Sequence, residues 1–201
     1  MRPLLDILYN FHWVREGEAA RASQAHIGGL ERLMKRHGLK AIVNLRGENR
    51  DLGWWRYEKR ICESLGAPHL DAMMDSRHLP TRPMLVRLMQ TFEEAPKPLL
   101  LKCSGGNDRT GLAAALYLIR RDGWNARTAA LAQFSGVARK QQRWAKTFLS
   151  FAEEEAQGRP LGEWIAIAYE PERFAEWLRA HGHAESFAGI FEAPTRSPWQ
   201  L

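Results

Sequence analysis

Apolar residues along the chain form two kinds of pattern, short continuous runs and longer runs with helical spacing. The continuous runs Ala41–Leu45 and Leu99–Leu101 are typical of strands that are buried on both faces of a parallel sheet. Three further segments are predicted to be extended: Phe11–Arg15, Glu18–Ala22 and Pro68–Met73. The first two of these are separated by Glu16-Gly17, which predicts a short antiparallel pair.

Helical spacing appears between the predicted strands. In His26–His37, apolar residues recur three and four positions apart, and Gly38 is a typical residue for the end of that helix. The other predicted helices are Trp54–Ser64, Pro83–Glu94, Leu112–Arg121, Ala126–Phe134, Gln141–Ala156 and Pro171–His181. Strands that alternate with helices predict an α/β fold, with a central, mainly parallel sheet of four or five strands flanked by helices.

The length of 201 residues corresponds to one domain with a small addition. The segment after Gly158 is helical in pattern and rich in Trp and Glu, and it is too short to build a core of its own. We therefore expect a main domain over residues 1–157 and a helical C-terminal appendage over residues 158–201 that packs on it.

Charge is distributed unevenly along the chain. The net charge of +6 is the sum of +11 in residues 1–150 and −5 in residues 151–201, and +8 falls within residues 96–150. Such a basic region predicts an anionic partner. No basic run is interleaved with aromatic residues, so we do not expect a nucleic acid.

Several other classes of protein do not fit the composition. Two cysteines cannot form a disulfide framework or a four-cysteine zinc cluster. No apolar run approaches the roughly 20 residues that span a bilayer, so no transmembrane segment is predicted. The apolar N-terminal stretch carries no small-residue cleavage signal, and we expect a cytoplasmic protein.

The segment Leu99–Gly111, with the sequence LLLKCSGGNDRTG, carries the candidate chemistry. Cys103 directly follows a predicted buried strand, and Arg109 comes six positions later, just before a predicted helix. The glycines between them permit a tight loop whose N–H groups converge at the positive end of the helix. The guanidinium of Arg109 adds a planar fork that matches two phosphate oxygens. The residues predicted to bind phosphate are Ser104, Gly105, Gly106, Asn107, Asp108 and Arg109.

The electrostatic field that binds an anion in this loop also stabilises a thiolate, so Cys103 is predicted to be a nucleophile at neutral pH. The segment closely resembles the Cys-x5-Arg-Thr-Gly signature of cysteine-dependent protein tyrosine phosphatases, especially their compact dual-specificity branch found in bacteria. Three further segments resemble that family less specifically: Arg21–Gln24, Ile42–Gly47 and Ser76–Thr81. Together the resemblance covers about residues 11–150 and implies a dual-specificity-phosphatase-like fold.

The resemblance implies a reaction in two steps, in which a cysteinyl-phosphate forms and water then hydrolyses it. Cys103 would be the nucleophile, Arg109 and the loop amides would bind the phosphate, and Thr110 would assist departure of the thiolate. The resemblance implies no metal and no cofactor. The family usually has His before the nucleophile, where this chain has Lys102, a cation that also favours a thiolate.

A carboxylic acid must protonate the leaving group, and three aspartates are candidates. Asp75 lies 28 residues before Cys103, ahead of a predicted helix, and is the first choice. Asp71 is the runner-up, within an apparent strand. Asp108 lies inside the loop, where lipid-active relatives with an Asp-Arg-Thr ending have been suggested to use that acid.

Three basic residues, Arg46, Arg77 and Lys102, are candidates for substrate binding, although Arg46 equally fits a structural pairing with Glu48 or Asp51. The resemblance allows phosphoproteins, phosphoinositides and inositol phosphates as substrates, and the Gly105–Thr110 segment leans toward the lipid- and inositol-active relatives.

Two alternatives to a phosphatase use the same loop. The first is a catalytically weak phosphate-binding pseudophosphatase module. The second is sulfur or arsenate chemistry, against which the late position of the loop and the following Thr110-Gly111 favour a phosphatase.

Overall fold

A computed structural model describes residues 3–26, 28–75, 78–134 and 144–183. Within these ranges, one sheet contains the strands β1 (His12–Arg15), β2 (Ala19–Ala22), β3 (Ala41–Asn44), β4 (His69–Asp71) and β5 (Leu99–Lys102). The strand order is β1-β2-β5-β3-β4, in which β1 runs antiparallel to β2 and the other neighbours are parallel. The prediction of a mainly parallel sheet of four or five strands in an α/β fold is confirmed.

Helices flank the sheet on both faces. They are α1 (Leu4–Leu8), α2 (Gly29–His37), α3 (Gly53–Ser64), α4 (Arg82–Glu94), α5 (Asp108–Asp122), α6 (Arg127–Leu131), α7 (Trp144–Ala156), α8 (Leu161–Ile167) and α9 (Pro171–Ala180). Two of them begin three or four residues away from their predicted starts, whereas α3 and α4 begin one residue earlier than predicted. α2 begins after Gly28, whose φ of 72° is left-handed, and α5 begins at Asp108, four residues before the apolar pattern becomes visible at Leu112.

The helix predicted over Ala126–Phe134 is instead three short pieces, because one-turn 3₁₀ segments at Trp124–Ala126 and Ala132–Phe134 flank α6. The predicted helix over Gln141–Ala156 is described from Trp144 onward. Its first residues, and the chain after residue 183, lie outside the described residues.

The two faces of the sheet bury different clusters, because successive residues of a strand point to opposite sides. Leu99 and Leu101 of β5 belong to a large cluster that includes residues of α4, α5, α7, α8 and α9. Leu100 belongs to a smaller cluster with residues of α2 and Cys62 of α3. Both faces of β5 are therefore buried, which fits the continuous apolar run Leu99–Leu101.

The C-terminal helices share the larger cluster. Trp164 and Phe174 are fully buried against Phe148 and Phe151 of α7. The Tyr169 hydroxyl donates a hydrogen bond to the Pro80 carbonyl oxygen at 2.6 Å. The domain boundary predicted after residue 157 stays a prediction. Among the described residues, the helices are too short or too polar for any of them to cross a membrane.

The carboxyl ends of β3, β4 and β5 meet at one edge of the sheet, where α/β proteins commonly bind ligands. The Leu45 N–H donates to the Lys102 carbonyl oxygen at 2.9 Å, so the chain leaving β3 runs beside the end of β5. The Met74 N–H donates to the Leu45 carbonyl oxygen at 3.2 Å, so the chain leaving β4 follows the same edge. This edge carries the predicted chemistry.

Candidate active site

Cys103 directly follows β5 and begins a tight loop, Cys103–Arg109, which we call the phosphate loop. Its side chain is buried, and the Gly106 N–H donates to its Sγ at 3.3 Å. The Thr110 Oγ1, buried in the first turn of α5, lies 3.9 Å from the same sulfur. The sulfur thus accepts a hydrogen bond from the Gly106 N–H and faces the Thr110 hydroxyl oxygen.

Gly106 is required by both conformation and space. Its φ of 72° is left-handed, and a Cβ at this position would lie 2.6 Å from the Ser23 nitrogen and 2.8 Å from the Ala22 carbonyl carbon. The phosphate loop therefore packs directly on the backbone that leaves β2. Gly105 is exposed and a Cβ there would meet nothing within 4 Å, so Gly106 is the glycine on which the close approach depends.

The second half of the phosphate loop leads into α5. Asn107 is the residue before this helix, Asp108 and Arg109 are its first two residues, and the free N–H groups of a first turn favour an anion. The Arg109 Nη2 donates to the Ser104 Oγ at 3.2 Å, so the guanidinium reaches back to the start of the loop. The structure thus brings the predicted phosphate-binding residues together around Cys103.

Asn10 also holds the loop by hydrogen bonds, and the sequence analysis missed it. Its Nδ2 donates to the carbonyl oxygens of Gly105 and Gly106 at 3.2 and 3.3 Å and to the Asn107 Oδ1 at 2.9 Å. Asn10 has a φ of 49°, a conformation that asparagine tolerates better than most residues. The His12 ring nitrogen lies 3.0 Å from the Asn10 Oδ1 and fixes the orientation of the amide.

Two further guanidinium groups, those of Arg21 and Arg46, lie close enough to Cys103 to interact with it electrostatically. Arg21 is buried, and its Nη1 donates to the Gly106 carbonyl oxygen at 3.4 Å. Burial lowers the pKa of Arg21, and the nearby Cys103 opposes this shift. Burial, and then the charge of Arg109, lower the pKa of Arg46, while Glu58 and Cys103 act in the opposite direction. Arg21 and Arg46 therefore add positive charge to that of Arg109.

Arg46 lies just past the carboxyl end of β3. Its guanidinium carbon is 3.6 Å from the centre of the Trp54 ring, and its Nη1 donates to the Gln24 Oε1 at 3.0 Å. Glu48, one of the anchors considered for Arg46, is paired with Arg50. The Trp54 ring and the Gln24 amide thus hold Arg46 close enough to Arg109 for the two charges to interact.

Lys102 lies behind the phosphate loop, with 2% of its side chain exposed. Its Nζ is 2.5 Å from the Glu58 Oε2 and donates to the Gln24 Oε1 at 3.1 Å. Burial lowers the pKa of Lys102 to about 8, against the attraction of Glu58. The sequence analysis considered Lys102 as a substrate-binding residue. This burial does not fit a direct contact with substrate.

The three candidate acids have different surroundings. The Asp71 Oδ1 accepts hydrogen bonds from the Asn44 Nδ2 at 2.6 Å and from the Trp55 Nε1 at 3.2 Å, which joins β4 to β3 and α3. Asp75, past the end of β4, accepts a hydrogen bond from the His78 N–H at 3.2 Å and has the His78 Nδ1 3.0 Å from its other oxygen.

Asp108, the third candidate, is half-buried as the first residue of α5. Arg77, a predicted substrate-binding residue, lies outside the described residues.

Comparison with known proteins agrees with this geometry. Residues 63–120 match the sequence profile of the tyrosine phosphatase family. No curated protein sequence matches the chain. Among solved structures, the core catalytic domain of the PP-IP phosphatase SIW14 from S. cerevisiae is similar with a TM-score of 0.57 and 18% identity, over 81% of this chain and 96% of that one.

Two other solved structures have the same fold. TpbA from P. aeruginosa gives a TM-score of 0.56 at 19% identity, over 81% of this chain and 92% of that one. PTPMT1 gives a TM-score of 0.51 at 16% identity, over 73% of this chain and 98% of that one. The family match over residues 63–120 agrees with the predicted resemblance, and the solved structures share the fold of this chain.

Proposed function

We propose that this protein hydrolyses phosphoric monoesters through a cysteinyl-phosphate intermediate, with Cys103 as the nucleophile. The observation that carries the proposal is the position of the Cys103 sulfur, 3.3 Å from the Gly106 nitrogen and 3.9 Å from the Thr110 hydroxyl oxygen, at the start of α5. A phosphate held by the loop N–H groups and Arg109 would present its phosphorus to this sulfur.

In the first step, the Cys103 thiolate forms a bond to phosphorus through a lone pair of its sulfur while the bond from phosphorus to the leaving oxygen breaks. The leaving oxygen takes a proton from an aspartic acid. Arg109 and the loop amides stabilise the charge on the transferring group, supported by Arg21. In the second step, water attacks phosphorus, the aspartate takes a proton from it, and the sulfur–phosphorus bond breaks as the Thr110 hydroxyl hydrogen-bonds the departing thiolate.

Asp75 is the proposed proton donor. The chain containing Met74 runs beside Leu45, which runs beside Lys102, so Asp75 follows the same edge of the sheet as Cys103. Since neighbouring strands are about 5 Å apart, about 10 Å separates these two chain segments, a distance that a bound substrate can span. Asp108 is the alternative donor, and Asp71 is the least suited because it holds Asn44 and Trp55.

The proposed substrates are phosphoproteins, phosphoinositides or inositol phosphates. SIW14 is a PP-IP phosphatase, and TpbA has been solved with phosphotyrosine. Arg46, close enough to Arg109 to influence it electrostatically, supports a substrate with a second anionic group near the reacting phosphate. The cytoplasmic location expected from the sequence stays a prediction.

Hydrolysis of 4-nitrophenyl phosphate by the full-length chain tests the proposal. We expect turnover by the wild type, inhibition by vanadate, and no turnover by Cys103→Ser. Absence of turnover between pH 5 and 8 would contradict the proposed activity and favour the phosphate-binding module. A panel of phosphopeptides, phosphoinositides and inositol phosphates then separates the substrate classes.

A further inference from the structure

A group of polar side chains lies behind the phosphate loop, where the proposed reaction does not use them. Glu58 of α3 is at its centre, with 1% of its side chain exposed. Its Oε2 is 2.5 Å from the Lys102 Nζ and 3.2 Å from the His69 Nε2, and its Oε1 accepts a short hydrogen bond from the Gln24 Nε2. An ion pair so deeply buried is costly to desolvate and contributes little net stability, which makes its presence informative.

The charges of this group follow from its contacts. Burial raises the pKa of Glu58, but hydrogen bonds from His69 and Gln24 together with the charge of Lys102 outweigh it, so the net pKa is lowered and Glu58 is a carboxylate. Lys102 faces Glu58 and is also influenced by Arg46 and Cys103. Below pH 8, the interior therefore holds a carboxylate and an ammonium in direct contact.

Gln24 connects this pair to the phosphate loop. Its side-chain oxygen accepts hydrogen bonds from both Lys102 at 3.1 Å and Arg46 at 3.0 Å. Its backbone N–H donates to the carbonyl oxygen of Ser104, the residue after the nucleophile, at 3.0 Å. Since Glu58 binds the amide nitrogen of Gln24, it determines which way the amide oxygen points.

The Trp54 ring restricts the same two cations. Its centre lies 3.6 Å from the Arg46 guanidinium carbon and 4.4 Å from the Lys102 Nζ. Arg46 is thus held between an aromatic face and the Gln24 oxygen, and it depends on the orientation of that amide for its position.

We propose that Glu58 is a positioning residue for the phosphate site: through Lys102 and Gln24 it fixes the place of Arg46 and of the Ser104 backbone, and so sets the affinity for the phosphate group. The kinetic test of this inference rests on the proposed function. The inference itself concerns only how tightly the anion binds. Glu58 itself lies beneath the site and contacts no substrate.

Three variants and one control test the proposal. Glu58→Gln removes the charge but keeps the shape, and Glu58→Met with Lys102→Met removes both charges. Lys102→Met is the third. Glu63→Gln, at an exposed position of the same helix, is the matched control. The measurements are KM and kcat for 4-nitrophenyl phosphate, the inhibition constant of vanadate, and the Tm.

We expect Glu58→Gln to raise KM and the vanadate inhibition constant about tenfold, the usual effect of losing a hydrogen bond to a charged group, and Glu63→Gln to match the wild type. The double variant should recover the Tm, because no unpaired charge stays buried, but not the affinity. A double variant that regains both the Tm and wild-type affinity would overturn the proposal, as would wild-type affinity in Glu58→Gln.

The positioning role can still be tested if the proposed phosphatase activity is absent. If the wild type hydrolyses no phosphate ester, its affinity for inorganic phosphate is compared with that of the same variants by calorimetry. A roughly tenfold weaker binding by Glu58→Gln still supports the positioning role. Equal binding contradicts it.

Discussion

Cys62 and Cys103 are both buried, with 1% and 3% of their surface exposed, and neither forms a disulfide. Cys62 lies on the apolar face of α3, where burial, and then the negative charge of Glu58, raise its pKa to about 12. Cys103 instead faces the Gly106 N–H and the Thr110 hydroxyl, and it interacts electrostatically with Arg21 and Arg46. We infer from this comparison that the polar contacts and charges around a thiol, rather than its exposure, separate the proposed nucleophile Cys103 from Cys62, which fills the core.

Alkylation tests the largest expected difference between the two thiols, which is their reactivity toward an electrophile. With a pKa of about 12, fewer than about one Cys62 in ten thousand is a thiolate near neutral pH. We expect iodoacetamide to label Cys103 in the folded protein and to leave Cys62 unmodified, as read by peptide mass spectrometry. Vanadate should protect Cys103, and Cys62→Ser should label like the wild type. Preferential labelling of Cys62 would contradict the expected difference in reactivity.

Removing the guanidinium from the loop should make the Cys103 site much less able to stabilise a transferring phosphoryl group. Arg109→Lys keeps the charge but loses the planar fork, and we expect kcat/KM to fall about a hundredfold to a thousandfold. The control is Arg173→Lys, the same change at an ion pair with Glu155 between α9 and α7. Wild-type kcat/KM in Arg109→Lys would show that the phosphate is bound elsewhere.

Substitution of the proton donor should lower kcat by a smaller factor, which depends on the leaving group. Asp75→Asn should lower kcat about a hundredfold for alkyl phosphates and less for 4-nitrophenyl phosphate, whose leaving group needs little protonation. It should also remove the alkaline decline of the pH profile. If Asp108→Asn produces this pattern and Asp75→Asn does not, the proton donor is Asp108.

The sequence predicted most accurately what is contiguous along the chain. Leu99–Gly111 contains the strand, the loop and the start of the helix, so spacing alone placed Cys103 and Arg109 at one site. The start of α5 at Asp108 was missed because the first turn of that helix carries the loop chemistry and shows no apolar periodicity.

Contacts between distant segments could not be read from the sequence. Asn10 contacts Gly105 across 95 residues, and nothing in its surroundings marks it as a support for a loop. Lys102 was a candidate for substrate binding, but alternation along β5 turns its side chain toward Glu58 instead. Such pairings depend on how α3 packs on the sheet.

The smallest expected effect is a change of vanadate affinity with pH that follows the protonation of Lys102. Because its pKa is lowered to about 8, Lys102 loses its proton above that pH, which leaves Glu58 without its cationic partner beneath Cys103 and Arg46. We expect a severalfold rise in the vanadate inhibition constant between pH 7 and 9. In Lys102→Arg, which stays charged, the inhibition constant should not change between these pH values beyond the ionisation of vanadate itself. An equal rise in both proteins would exclude Lys102 as the cause.

Trapping of the intermediate is the most direct measurement of the central claim. Acid quenching during turnover of 4-nitrophenyl phosphate, followed by peptide mass spectrometry, should find one phosphoryl group on the peptide that contains Cys103 and none on the peptide that contains Cys62. Thr110→Val, which removes the hydroxyl near the sulfur, should increase the trapped fraction by slowing the second step. Turnover without a phosphorylated Cys103 peptide in either protein would contradict the cysteinyl-phosphate mechanism.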